Sequence, residues 1–133
     1  MKAYDLQGIE LKVPGPRAFA FLADATQLPR WTSAFASVTN GRAMMRTPNG
    51  EVAVSLHVDA SPEQGVVDWR MSFPDGSVAR ACSRVVPLDA HRCVYTFVLT
   101  PPPVPLEQLE GALEQQSRTL THELATLKEL LEA

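Results

Sequence analysis

Residues 52–83, VAVSLHVDASPEQGVVDWRMSFPDGSVARACS, decide the fold, because apolar side chains recur there at every second position. Alternation with this period is typical of strands that bury one face. Two clusters of turn-forming residues, 61–64 and 74–76, divide the stretch into three strands. The pattern therefore predicts an antiparallel meander with one apolar face.

The first of these turns predicts a strand register. We expect a Ser61–Gln64 loop to pair Ala60 with Gly65. This register places Leu56 opposite Trp69 on the apolar face, and a shift of one residue would mix apolar and polar side chains. Burial of the apolar face is therefore expected to hold the register.

The second turn leaves two registers open. A three-residue loop over 74–76, with Gly76 in the left-handed conformation, directs Arg80 and Arg84 to solvent. A two-residue Asp75–Gly76 turn directs both arginines to the apolar face, where an unpaired guanidinium is costly. We favour the three-residue loop, which also sets small side chains opposite large ones.

The chain before the meander predicts one strand and two short helices. Residues 2–13 alternate weakly and predict a strand that Pro14 ends. Apolar spacing then predicts a helix and, after a break, a second helix whose last turn carries Trp31 and Phe35. Five strands are predicted between residues 36 and 100, which gives six in all.

The C-terminal part of the chain predicts one long helix. Three prolines at 101–103 cannot donate to a β-ladder and end the sheet. Leucines then recur at helical spacing and predict a helix over 105–131, with Gln116 in the one vacant position of the apolar stripe. We expect this stripe to pack on the apolar sheet face, leaving a hollow where the sheet residues are small.

Composition and charge exclude several classes of protein. The 133 residues are 45% hydrophobic and 20% charged, which fits one globular domain over 1–133. A net charge of −3 without a basic cluster argues against a nucleic-acid partner. The sequence has no apolar run near the roughly 20 residues of a membrane span and no leader-like start. We therefore expect a cytoplasmic protein without integral membrane association.

The order of these elements resembles the helix-grip fold of the START-like (SRPBCC) superfamily. The local resemblance lies in VPGPRAFAFLAD at 13–24, followed by LPRW at 28–31. This superfamily contains polyketide cyclase/dehydrase proteins, lipid-transport proteins and Bet v 1-like proteins. The resemblance implies an α+β fold, in which an antiparallel sheet of six to seven strands wraps around the long C-terminal helix and two short helices follow the first strand.

A cavity between the sheet and the C-terminal helix is the predicted site. We expect it to bind a small hydrophobic or aromatic molecule, such as a lipid, a polyketide or a phenol, with Tyr95 and Gln116 orienting the ligand. The predicted lining consists of large apolar residues of the inner face and helix stripe, together with these two: Trp31, Phe35, Trp69, Met71, Phe73, Tyr95, Phe97, Leu109, Leu113 and Gln116.

Two alternative functions stay open. The formation of a homodimer also stays open. A polyketide cyclase or aromatase needs polar groups in the cavity, and the candidates are Arg42, Arg46, Arg80 and Arg84. The turn at 48–50 directs either Arg42 and Arg46 or Met45 inward, and apolar matching favours Met45. A filled core would instead indicate an interaction module.

The remaining reactive side chains predict no catalysis. His57 is expected opposite Asp68 on the solvent face, where cross-strand pairs of this kind are common. Cys82 and Cys93 lack the Cys-x-x-Cys spacing and are expected to be free, buried thiols. Tyr95 is the one ionisable side chain expected on the inner face. We therefore expect no catalytic residue, no metal and no cofactor.

Overall fold

The computed structural model describes residues 4–47, 50–100 and 106–133. Seven strands form one antiparallel sheet: β1 (Asp5–Leu11), β2 (Phe35–Thr39), β3 (Arg42–Thr47), β4 (Gly50–Ser61), β5 (Val66–Ser72), β6 (Val78–Pro87) and β7 (Cys93–Leu99). The strand order across the sheet is β1-β7-β6-β5-β4-β3-β2. The helices are α1 (Gly15–Ala23), α2 (Leu28–Trp31) and α3 (Leu106–Glu132), with a 3-10 turn over Ala25–Gln27. The predicted α+β architecture is confirmed, with seven strands.

The strand missing from the sequence prediction is created by Asn40 and Gly41. Their φ angles are 52° and 75°, and they form the two-residue connection between β2 and β3. An Asn-Gly pair is a strong hairpin signal because both residues tolerate positive φ. The single strand predicted after residue 36 is therefore two strands. Phe35 begins the first of them, and its predicted position in the second helix is wrong.

The predicted register of β4 and β5 is wrong by two residues. Ala60 pairs with Val67, and residues 62–65 form the connection. The reason lies in Gly65, which has a φ of 72° and accepts the Val85 N–H on its carbonyl at 2.8 Å. A Cβ on Gly65 would lie 2.1 Å from the Val85 carbonyl oxygen. Because the shift is two residues, every side chain keeps its predicted face.

The turn at 74–76 adopts the favoured alternative. Residues 74–76 form the three-residue loop, closed by a hydrogen bond from the Phe73 N–H to the Ser77 carbonyl at 2.9 Å. Between β3 and β4 the favoured facing is correct but the expected Asn49-Gly50 turn is wrong by two residues in register, because Thr47 pairs with Gly50. Met45 pairs with Val52, which directs Met45 toward the core. The prediction of which residues face inward is therefore confirmed on both sides of the meander.

Helix α3 runs alongside β1 in the same direction and also packs against α2. The Gln7 side-chain amide donates to the Ser117 carbonyl at 2.9 Å, and the Lys128 ammonium donates to the Glu10 carbonyl at 3.0 Å. The predicted leucine stripe is buried at Leu113, Leu120, Leu124, Leu127 and Leu131. Within the described ranges, no helix is long and apolar enough to cross a membrane.

Candidate functional site

The inner face of the sheet is tightly covered at one end and loosely covered at the other. Along β7, Cys93 and Tyr95 are buried, whereas Phe97 and Leu99 are partly accessible. The inner face of β6 changes in the same direction. On β5 the inner residues are buried through Met71, and Phe73, just after the strand, is partly accessible. We define the closed end by Leu11, Val85 and Cys93, and the open end by Phe73, Ala79, Phe97 and Leu99.

The closed end is ordinary hydrophobic core. Helix α1 packs against β5, β6 and β7 and buries Ala18 and Leu22 there. The last turns of α3 add Leu124, Leu127 and Leu131 to the same cluster. Burial of this many aliphatic side chains is the main source of folding stability.

Four aromatic rings meet where the closed end gives way to the open end. Trp31 of α2 lies 6.5 Å from Trp69 and 6.3 Å from Tyr95, measured between ring centroids. Phe97 lies 6.2 Å from Trp69 and 6.4 Å from Tyr95. These spacings are typical of favourable aromatic pairs. We call Trp31, Trp69, Tyr95 and Phe97 the aromatic cluster.

The aromatic cluster contains two buried hydrogen-bond donors without acceptors. Tyr95 is 0% exposed and Trp69 is 3% exposed, yet the Tyr95 hydroxyl and Trp69 Nε1 meet no partner among the described residues. Burial raises the pKa of Tyr95, and the nearby Ser83 hydroxyl lowers it only in part. Ser83 itself donates to the Val67 carbonyl and does not reach hydrogen-bond geometry with the phenol. Such unpaired groups each cost about 1–3 kcal/mol.

The other predicted lining residues are distributed around this cluster. Phe35 and Met71 are buried, Phe73 is partly accessible, and no described ring contact joins Phe35 to the aromatic cluster. On α3, Leu113 is buried and Gln116 is half-buried. The side chain of Leu109 lies outside the described residues. The structure thus brings together four of the predicted residues as one set of contacting rings.

Known proteins resemble this chain in structure and not in sequence. No family model and no curated protein matches it. The structure of XoxI from Bacillus cereus superposes with a TM-score of 0.70 at 13% identity, covering 98% of this chain and 96% of that one. A START superfamily protein from Mycobacterium smegmatis superposes with a TM-score of 0.68 at 13% identity, with 97% of both chains covered. The Zhui aromatase/cyclase from Streptomyces gives 0.63 at 14% identity, with 96% and 90% covered.

The chain has a START-like (SRPBCC-like) fold. Likeness at these identities extends to the helix-grip architecture, and activity has to be argued from the site itself. The resemblance inferred from residues 13–24 and 28–31 is therefore confirmed at the level of the fold.

The four candidate arginines of this START-like fold lie on the outer face of the sheet. Arg42, Arg46, Arg80 and Arg84 are all exposed. Arg46 donates to the Ser33 carbonyl and Arg84 to the Gln64 carbonyl, each at 3.1 Å. None of the four is therefore positioned to polarise a ligand beneath α3.

Sequence reasoning missed a polar contact between β1 and α3. The Asp5 carboxylate accepts the Ser117 hydroxyl at 2.6 Å and the Gln7 amide at 2.8 Å. Asp5 and Gln7 share the inner face of β1 with Leu11, so the prediction that Tyr95 is the one ionisable inner residue is wrong. The alternation of β1 could have revealed this, since Asp5 and Leu11 are six positions apart and an even difference places both on one face.

A second missed contact joins α3 to the segment before β2. The Glu123 carboxylate accepts the Ser33 N–H at 2.6 Å. Burial raises the pKa of Glu123, and the hydrogen bonds from Ser33 offset part of the rise. Glu123 also lines an open cleft of about 380 Å³ whose walls include Trp31 and His122. The two partners are 90 residues apart, so no local pattern predicts their contact.

Two predictions about the remaining reactive side chains are wrong. His57 Nε2 lies 2.8 Å from Asp59 Oδ1, and the predicted pairing with Asp68 is wrong because of the register shift. Cys93 is buried but Cys82 is exposed on the outer face, so the predicted burial of Cys82 is wrong; both are free thiols. Burial raises the pKa of both thiols. In the part of the chain that the structure describes, no three His, Cys, Asp or Glu residues gather to hold a metal.

Proposed function

We propose that the protein binds a small hydrophobic or aromatic molecule between the sheet and α3, at the open end and against the aromatic cluster. One observation carries this proposal: along β6 and β7, inner side chains change from buried at one end to partly accessible at the other. A filled core would cover both ends alike. Burial of ligand and protein surface at about 25 cal/mol per Å² would supply most of the affinity.

The proposed lining keeps the residues inferred from the sequence. The aromatic cluster would contact one side of the ligand, with Phe97 the most accessible of its rings. Leu109, Leu113 and Gln116 of α3 would contact the other side, and Phe35, Met71 and Phe73 would complete the walls. Sites of this kind, largely apolar with few polar groups, are typical for small molecules.

Tryptophan fluorescence tests this function directly. The chain has two tryptophans, and both belong to the aromatic cluster. We expect a saturable emission change with at least one of two ligand classes, a long-chain fatty acid or a flavonoid. The absence of a saturable change with both ligand classes would contradict the proposal.

A matched pair of phenylalanine variants separates the site from the rest of the fold. Phe97→Leu removes a ring of the aromatic cluster, and Phe21→Leu removes a partly buried ring of α1 that lies under Arg30. We expect the first variant to weaken binding several-fold and the second to leave it unchanged. Equal effects of the two variants would contradict the assignment of the site.

The cyclase alternative has less support. The Zhui protein is an aromatase/cyclase by name, and the likeness to it extends to the fold. Arg42, Arg46, Arg80 and Arg84 point away from the inner face, and burial disfavours the ionised form of Tyr95. With these groups, acid–base chemistry on a ligand would have little to act with.

A further inference from the structure

The two unpaired donors of the aromatic cluster indicate the chemistry of the ligand. An indole N–H can only donate, and the Tyr95 phenol carries its proton at neutral pH because burial raises its pKa. For a pure hydrocarbon ligand, phenylalanine at positions 69 and 95 would serve equally well and would avoid burying Trp69 Nε1 and the Tyr95 hydroxyl. Both positions instead offer a proton to an acceptor.

The contacts of the cluster leave these donors at opposite corners. Trp69 and Tyr95 each pack against Trp31 and Phe97, and no described ring contact joins Trp69 to Tyr95. A flat molecule that rests against Phe97, the accessible ring, lies next to both corners. Acceptor oxygens on such a molecule could therefore meet either donor.

The charges around the cluster disfavour an anion. The arginines of β3, β5 and β6 alternate onto the outer face: Arg42, Arg46, Arg70, Arg80 and Arg84. Burial is the main cause of the raised pKa of Tyr95, and the charge of Asp68 raises it further. Asp5 adds a carboxylate on the inner face of β1. A bound carboxylate would be desolvated here, and none of the described arginines of the sheet faces it.

We propose that the site selects neutral, flat, apolar molecules that carry a carbonyl oxygen, with Tyr95 and Trp69 as the hydrogen-bond donors, and that it discriminates against carboxylates. This inference rests on the proposed function and names the ligand class for the same site. The two donors give the apolar site its specificity, since each discriminates between ligands with and without an acceptor.

Three probes of one shape test the selection: acetylnaphthalene, ethylnaphthalene and naphthoate, substituted at the same ring position. Proton–nitrogen correlation spectra follow the two indole signals, and Trp69→Phe assigns them. We expect the ketone to move the Trp69 indole proton downfield relative to the hydrocarbon and to bind about tenfold more tightly, as one or two hydrogen bonds provide. Naphthoate should bind at least tenfold more weakly than the ketone.

Two tyrosine variants provide the matched control. Tyr95→Phe should lower the affinity for the ketone several-fold and leave that for ethylnaphthalene unchanged. Tyr4→Phe should change neither, because Tyr4 is 54% exposed. The ratio of ketone to hydrocarbon affinity is the readout, since a loss of packing alone would weaken both probes together.

Several outcomes would overturn the inference. Equal affinity for ketone and hydrocarbon, or equal weakening of both by Tyr95→Phe, would remove the role of the donors while hydrophobic binding stands. Naphthoate binding as tightly as the ketone would remove the discrimination against charge. Failure of all three probes contradicts the inference, whereas joint failure of the fatty acid and the flavonoid contradicts the proposed function.

Discussion

The closed end and the open end of the sheet share their strands and their alternation but differ in what covers them. At the closed end, α1 and the last turns of α3 bury Leu11 and Cys93 completely. At the open end, Phe97 and Leu99 of the same β7 are partly accessible. The alternation of a strand therefore decides which way side chains face, and tertiary packing decides whether that face is fully buried or stays partly accessible.

The two regions also differ in whether their buried polar groups have hydrogen-bond partners. Among the described residues, the two buried side-chain polar atoms without a partner, Trp69 Nε1 and the Tyr95 hydroxyl, both belong to the aromatic cluster. The closed end has none in its described part. A departure from polar pairing that is confined to one place indicates a functional constraint there, because elsewhere the fold satisfies its polar groups.

Leu127→Ala tests the closed end and should have the largest effect. Leu127 is 0% exposed, and its truncation leaves a cavity in the aliphatic cluster. We expect the free energy of unfolding to fall by about 2–5 kcal/mol, measured by urea denaturation. The exposed Glu129→Ala on the same helix should change it by less than about 0.5 kcal/mol. A loss below about 1 kcal/mol for Leu127→Ala would show that the closed end is not tightly packed.

Tyr95→Phe tests the aromatic cluster and should act in the opposite direction. Removing an unpaired buried hydroxyl should raise the free energy of unfolding of the ligand-free protein by about 1–3 kcal/mol. Tyr4→Phe, at an exposed position, is the control and should have no effect in the same denaturation experiment. Destabilisation by Tyr95→Phe would mean that the hydroxyl is hydrogen-bonded without a ligand.

Glu123→Gln should have the smallest effect, visible in the pH dependence of stability. The pKa of Glu123 is raised by burial above its ordinary value of 4.5, so the folded state favours the protonated form. The contribution of this group to stability is therefore fully present below pH 4.5 and is lost as the pH rises through the folded pKa. From pH 4.5 to pH 7, the urea concentration at the unfolding midpoint should fall more in the wild type than in the variant. An identical pH dependence in both proteins would contradict the burial of the Glu123 carboxylate.

Much of the fold follows from local sequence patterns. The register of β4 and β5 is predicted wrongly because it depends on a contact between distant residues. The alternation from Val52 to Leu99 predicts the inner face correctly, and the Asn40-Gly41 pair is a local signal for the additional hairpin. The register of β4 and β5 was not readable, because it depends on Gly65 meeting Val85 in the next strand. Local periodicity contains no information about this contact between Gly65 and Val85.

The candidate site was predictable residue by residue but not as an arrangement. Trp69, Tyr95 and Phe97 follow from strand parity, which places them on one face. Trp31 joins them from a four-residue helix. That helix is located by tertiary contacts, including the one between Ser33 and Glu123. Local sequence patterns do not predict such tertiary contacts, so they do not predict how the four rings are arranged.

The two cysteines lie on opposite sides of the sheet, which allows a label or a tether to be attached at a single site. Cys82 is accessible on the outer face while Cys93 is sealed in the core. A maleimide dye or a surface tether should therefore attach at one place, under mildly alkaline conditions because the pKa of Cys82 is raised. Immobilised through Cys82, the protein would present its inner face and α3 unobstructed, so that small molecules could be screened by flow without labelling them.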